Sequence, residues 1–445
     1  MTDLAPESES VPTARLAELA DQRVILVSAG FVDDDGALTA ADSGRLAAAV
    51  RRARDQRLPL VITIRTTGAA VEDGLAASAG WAEAARELVQ ASGVVPTVAI
   101  AAGAVVSGPA LLLGLADVVI FTVEAYVYMN GPRSVETYTG VPISGVELGG
   151  VSAHFRSTGM ASLVADTVDD ALKLAGDVLA YLPPSVDGLP PVVESDDPID
   201  RLCPDLGDLL PTTPAGSYDV RQVITEVVDD GEFVELRSGW SPNLVTGFAS
   251  LGTLPVGIVA NQTQSLAGSI DIPASQKGAR FVAMCDAFNL PIITMVDTSG
   301  FLPGKDLEWR GMIRHGAQLA FAYARATVPR IGLTLRKSYG GAYIVMDSAN
   351  MGNDLMFAWP SAEVAVMGAK GAVEILHRQA SAVERAELEA AYESQYLTPY
   401  AAAERSSISS VIDPTETRCE LIAGLRMLSS KREQLRSRRH DNTPL

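Results

Sequence analysis

The sequence predicts an α/β protein in which one unit of parallel strands and connecting helices occurs twice. Three observations predict it: proline-led apolar runs at matched spacing, glycine turns at matched distances behind them, and small apolar residues at helical spacing between. From Pro59 to Gly68 is nine positions, as from Pro291 to Gly300. Val328-Pro329 falls 38 positions after Pro291, against 37 between Pro59 and Pro96, and the turn glycine follows at twelve in both halves, at Gly108 and Gly341. Ala125 to Gly131 mirrors Ala362 to Gly368 at a six-residue offset. Agreement at one offset is ordinary; agreement at four marks a duplicated domain.

In the first half, Arg23 to Ala29 is an apolar β-rich run, and Thr39 to Gln56 has helical periodicity. Leu58-Pro59 leads the strand Leu60 to Ile64, which ends at Arg65-Thr66-Thr67-Gly68. A helix over Gly74 to Gln90 leads to Val95-Pro96, another strand and the turn Gly103 to Pro109; Asp117 to Thr122 and Ala125 to Gly131 follow. The second half repeats this order: Ile292 to Val296 ends at Asp297-Thr298-Ser299-Gly300, and Arg330 to Leu335 meets Gly340 and Gly341. Between the halves, Pro183 to Pro214 is dense in proline and aspartate. The expected division is a disordered N-terminus over 1–21, a first domain over 22–182, a linker over 183–217 and a second domain over 218–445. Ala382 to Tyr396 reads as a helix laid over the second domain.

With 445 residues and 47% hydrophobic content the chain can build two cores. A formal net charge of −19 argues against nucleic acid, and the basic cluster Lys431 to Arg439 reads as a solvated helix end. Cys203, Cys285 and Cys419 are far apart, which suits a reducing cytoplasm. Met1 to Thr13 lacks the pattern of a signal peptide, and no apolar run reaches the roughly 18 residues of a spanning helix, so a soluble protein is expected.

The histidines, His154, His315, His377 and His440, have neither the company of a nucleophilic triad nor metal-ligand spacing. No Walker sequence and no G-x-G-x-x-G opens a helix. Backbone chemistry remains. A strand that meets adjacent glycines and then a helix leaves N–H groups pointing at a ligand, and two such turns suit a reaction in which two carbonyl oxygens gain negative charge. In the second half Gly341 and Ala342 both keep an N–H; in the first, Pro109 has none, so the expected pair is Ser107 and Gly108.

Several segments resemble the carboxyltransferase β subunit of biotin-dependent acyl-CoA carboxylases, the acetyl-CoA and propionyl-CoA carboxylase group. They are Gly268 to Phe281, Asp297 to Gly304, Ile313 to Ala317, Arg336 to Met346, Ala358-Trp359-Pro360 and Ala365 to Val373. The first half resembles it more thinly, through Glu83 to Pro96, Gly131 to Val135 and Glu147 to Gly150. The resemblance implies two tandem crotonase-like (ClpP/crotonase) domains, an assembly of six subunits, and a partner subunit that carries biotin and serves as biotin carboxylase. It also implies a coenzyme A thioester as substrate; neither a metal nor a membrane is expected, given the absent ligand spacing and the lack of a spanning apolar run. On it, Gly340, Gly341, Ala342 and Phe301 would hold biotin, while Gly68, Ser107 and Gly108 would hold the thioester. Ile344 falls where the acyl chain is selected: an aspartate there accompanies propionyl-CoA, an apolar residue acetyl-CoA or a broader range. The chain departs from the family in reading Thr66-Thr67-Gly68-Ala69-Ala70 for Ser-Gly-Gly-Ala-Arg, and in placing Ser107 where the family has glycine.

The leading expectation is therefore carboxyl transfer from carboxybiotin to a short acyl-CoA, in fatty acid or polyketide precursor synthesis. Two alternatives stay open: a biotin-independent decarboxylase of malonyl-type thioesters, and a non-catalytic subunit of a carboxylase complex.

Overall fold

The computed structural model describes residues 14–30, 36–213, 215–437 and 439–444. Contacts divide the chain into two units after Leu189. In the first, an antiparallel hairpin of β1 (Ala14–Leu19) and β2 (Gln22–Ala29) starts the sheet. Parallel strands β3 (Leu60–Thr66), β4 (Thr97–Val106) and β5 (Val118–Thr122) follow. The short β6 (Tyr126–Tyr128) pairs with the end of β4, and β7 (Leu163–Ala165) closes the sheet beside β5.

The second unit begins with β8 (Val234–Glu235) and the hairpin of β9 (Leu244–Leu251) and β10 (Leu254–Asn261). Then come β11 (Ile292–Thr298), β12 (Arg330–Tyr339) and β13 (Leu355–Ala358). Here β14 (Glu363–Ala365) pairs with the end of β12, and β15 (Ser410–Val411) lies beside β13. Apart from the extra edge strand β8, the two sheets thus share one strand order, and the duplication is present in hydrogen bonds as well as in spacing.

The four landmark prolines do the same work. Proline has no N–H to give a ladder, so it sits where a strand opens, yet its carbonyl still accepts. Pro59 O receives Ile25 N and Pro96 O receives Leu60 N, each at 2.9 Å; Pro291 O receives Gly257 N at 2.8 Å and Pro329 O receives Ile292 N at 2.9 Å. Both hairpins turn through two residues with positive φ, Ala20-Asp21 (47° and 60°) and Gly252-Thr253 (56° and 70°), which matches strand twist.

Helices Ala40–Gln56 and Leu75–Ala91 cover the first core, whose centre is Ile25, Val27, Leu46, Ile62 and Phe121. In the second unit, Val220, Ile258, Met295, Leu333 and Trp359 form the core.

Three boundary expectations need correction. The disordered N-terminus expected through residue 21 gives way to β1, held by six register pairs with β2; residues 1–13 lie outside the described residues. The expected linker is not a bare tether, because Cys203 and Leu206 are wholly buried in the second core and Cys203 N donates to Thr415 O. The basic tail is not a helix end: the last helix stops at Leu428, and Lys431 Nζ instead bonds Val328 O at 3.1 Å and Asp354 at 2.9 Å.

Candidate active site

Both glycine turns sit at the carboxyl ends of parallel strands, where ligands of open α/β sheets bind. In the second unit β12 runs into the short helix Gly340–Val345, which begins with Gly340 at φ 58°. Gly341 is exposed, and a Cβ on it would come within 3.3 Å of the Phe301 ring, which also presses on Gly316. Ala342 is wholly buried, so of the two expected donors only the Gly341 amide opens outward. An open groove of about 470 Å³ is lined by Gly340, Gly341, Tyr343, Ile344 and Val364 to Val366. Ile344, 37% exposed, stands in this groove rather than in the core.

Behind the turn, Asp297 at the end of β11 fastens β12. Its carboxylate accepts Arg336 Nε at 3.0 Å and Lys337 N at 3.2 Å. Burial pushes the Asp297 carboxyl above its ordinary range, with Arg336 pulling the other way. Tyr339 OH donates to Glu363, which ties the turn to β14. In the first unit the positions equivalent by offset are Arg65 and Gly103, and the Arg65 side chain lies along the bare Gly103 backbone, 3.3 Å from where a Cβ would stand.

In the first unit Gly68, Ser107 and Gly108 do come together: a Cβ on Gly68 would lie 3.4 Å from Ser107 Cβ. Gly108 supports the Trp81 indole, whose Cζ2 would be 2.9 Å from an added Cβ. Ser107 differs from expectation. It adopts φ 64°, ψ −155°, a conformation nearly confined to glycine and costing about 1–3 kcal/mol for other residues. Its N–H donates to Tyr128 O at 2.9 Å, so the Ser107 amide belongs to the β4–β6 ladder and is not a donor to substrate. The pair Ser107 and Gly108 is corrected to Gly108 alone on this turn.

A second amide comes from the neighbouring strand. Leu38 N donates to Gly68 O and Ala70 N to Leu38 O, at 2.7 and 2.9 Å, which turns the intervening Ala69 amide toward β4. The second unit repeats this. Ile270 N donates to Gly300 O and Leu302 N to Ile270 O, at 3.1 and 2.9 Å, which leaves the Phe301 amide on the side of β12. The resemblance named Phe301 on the biotin side, but the reading of the turns did not find its amide or that of Ala69, although the nine-position spacing marked the residue before each.

No histidine lines the groove at Gly341. His154 Nε2 bonds Val127 O at 2.7 Å and Nδ1 bonds Thr158 Oγ1 at 2.9 Å; His315 lies on the helix Met312–Arg325 and His377 at the end of Ala369–Leu376. Among the described residues no cluster of three His, Cys, Asp or Glu is placed to hold a metal ion.

Two tandem crotonase-like domains with glycine turns at paired strand ends are the fold of a carboxyltransferase, and the comparisons with known proteins give the chain that class. The carboxyl transferase domain model matches residues 22–443, and the chain belongs to that family. It is 39% identical over 443 residues to the propionyl-CoA carboxylase beta chain of Saccharopolyspora erythraea, covering 95% of this chain and 81% of that one. It is 40% identical to the biotin-dependent acetyl-/propionyl-coenzyme A carboxylase beta5 subunit of Mycobacterium tuberculosis, covering 87% and 74%. The crystal structure of transcarboxylase 12S, a hexamer with hydrolyzed methylmalonyl-coenzyme A bound, superposes at a TM-score of 0.94 with 35% identity, over 97% of this chain and 84% of that one.

Proposed function

We propose that this chain is the carboxyltransferase subunit of a biotin-dependent acyl-CoA carboxylase, moving a carboxyl group from carboxybiotin on a partner subunit to the α carbon of acetyl- or propionyl-CoA. The observation that carries this reading is the repeated pair of strand-end amides, Ala69 with Gly108 and Phe301 with Gly341. Two carbonyl oxygens that gain negative charge each need such donors, and losing one typically costs about 10²–10³ in kcat.

On the acyl side, the Gly108 and Ala69 amides polarise the thioester carbonyl and hold the oxygen of the enolate. On the other side, Gly341 lines the groove beside Gly340, and the Phe301 amide is the second donor on the side of β12. The groove, walled by Ile344 and Val364 to Val366, is the proposed seat of the biotin bicycle, with the bicycle's one carbonyl toward Gly341. When bound, carboxybiotin supplies the carboxyl group. Buried Ala342 and the Phe301 ring, packed against Gly341, support the start of the helix.

Six copies are the proposed assembly, in line with the hexameric transcarboxylase 12S. Free Cys203, Cys285 and Cys419 suit a cytoplasmic setting, and among the described residues no helix is long and apolar enough to cross a membrane.

The test is an acyl-CoA panel run with a biotinylated carrier, ATP and bicarbonate, and again with malonyl-CoA and the protein alone. Carboxylation that depends on the carrier is expected. Carbon dioxide release from malonyl-CoA without carrier, and no carboxylation with it, would replace this reading by decarboxylation.

A further inference from the structure

We propose that the Ser107 side-chain hydroxyl donates a hydrogen bond directly to the thioester oxygen of the acyl-CoA, in place of the amide that its own backbone cannot offer. This rests on the carboxyltransferase reading above.

The first ground is conformational. Arg57 (56°, 45°) and Ala267 (49°, 35°), two other non-glycine residues with positive φ, sit in the ordinary left-handed well. Ser107, at 64° and −155°, does not; it lies close to Gly74 at 54° and −132°. At the equivalent position by offset the second unit has glycine, Gly340, also at positive φ. A serine held in glycine's conformation at the lip of a site points to use of the side chain, since glycine would hold the same turn without strain.

The second ground is the count of donors. The Ser107 N–H is engaged by Tyr128 O, and Pro109 has none, so this turn offers one amide, that of Gly108. The third is placement. Ser107 is exposed, and its hydroxyl makes no hydrogen bond among the described residues. Ser107 Cβ lies 3.4 Å, and its Oγ 3.9 Å, from where a Cβ on Gly68 would stand, so the hydroxyl lies beside the strand end that carries the Ala69 amide and next in sequence to the Gly108 amide. A hydroxyl rotates to suit its acceptor, so it can follow the oxygen as the carbonyl becomes an enolate.

The experiment compares Ser107→Ala and Ser107→Gly with the parent protein in two assays. Calorimetry is run with acetyl-CoA and with S-ethyl-CoA, which lacks the carbonyl oxygen. The pair forms a cycle that isolates the hydroxyl–carbonyl interaction. Expected is a rise of fivefold or more in Kd for acetyl-CoA with no change for S-ethyl-CoA. An equal change for both ligands, or none, overturns the proposal, and neither result depends on a biotinylated partner.

In the carrier-dependent assay, both variants should lose about 10²-fold in turnover, mainly in kcat. Ser107→Gly, with the strain relieved, should also unfold at higher urea than the parent. A Ser107→Gly variant that turns over as fast as the parent would show that the serine is tolerated rather than used. A parent protein that binds acetyl-CoA through the carbonyl but transfers no carboxyl group would overturn the carboxyltransferase reading and leave this one standing.

Discussion

Gly108 has an indole for a neighbour, and that contact sets how near the turn approaches Trp81. An added methyl would meet Trp81 Cζ2 at 2.9 Å, too close for a side chain that is itself packed against the first core. Gly108→Ala is expected to lower stability by about 1–3 kcal/mol, as overpacking does, and to misaim the one amide this turn supplies. Urea unfolding and kcat/KM for acyl-CoA read the two effects separately. Ile344 offers the opposite case. Because it is 37% exposed, Ile344→Asp should leave stability within about 0.5 kcal/mol. Its expected effect is on choice: the ratio of kcat/KM for propionyl- over acetyl-CoA should rise about tenfold, or ~1.4 kcal/mol in the barrier, measured by competing the two substrates.

At the scale of elements, the hairpin turn Ala20-Asp21 carries two positive φ values on residues poorly suited to them. Replacing the pair by Asn-Gly is expected to stabilise the first unit by about 0.5–2 kcal/mol, read as a higher urea midpoint. The helix Ile272–Ala287 holds a different device. Lys277 is buried, and its Nζ donates to the carbonyls of Arg237 and Trp240 at 3.0 Å each. Burial, aided by Arg237 and Arg221 and opposed by Glu235, lowers its pKa to about 7. Between that value and the ordinary 10.5 the unfolded chain binds more protons than the folded one. Stability from this residue therefore grows as pH rises through that window. The difference in unfolding free energy between parent and Lys277→Met, followed from pH 6.5 upward, should shift in the parent's favour by a few kcal/mol or less.

The same scale shows what the sequence made readable. Proline-led strands were legible because a missing N–H confines proline to strand openings, and the four carbonyl bonds confirm the register. Neither initial hairpin was legible, since Ala-Asp and Gly-Thr are weak turn signals beside Asn-Gly. At the site, the glycine turns were readable from spacing. Which amides remain open was not, because the Ser107 N–H is claimed by Tyr128, a pairing set by tertiary register.

For the whole molecule, the three cysteines, all in the larger second unit, give a test of how that unit is packed. All three are free, Cys203 and Cys285 are buried, Cys419 is half-buried, and burial pushes the Cys203 and Cys285 thiols up. A chromogenic disulfide reagent should therefore label at most one thiol in the native protein and three in denaturant; rapid native labelling of all three would contradict this packing.

The margins of the two sheets carry a last consequence. The first ends in β1, where Arg15 and Glu18 are exposed, and in the three-residue β7; the second ends in β8 and β15, each two residues long. Short or charged borders give another chain little backbone to zip onto. Copies of this protein can therefore crowd together without fusing into runaway cross-strand fibres, and any closed ring must be glued by side chains meeting face to face.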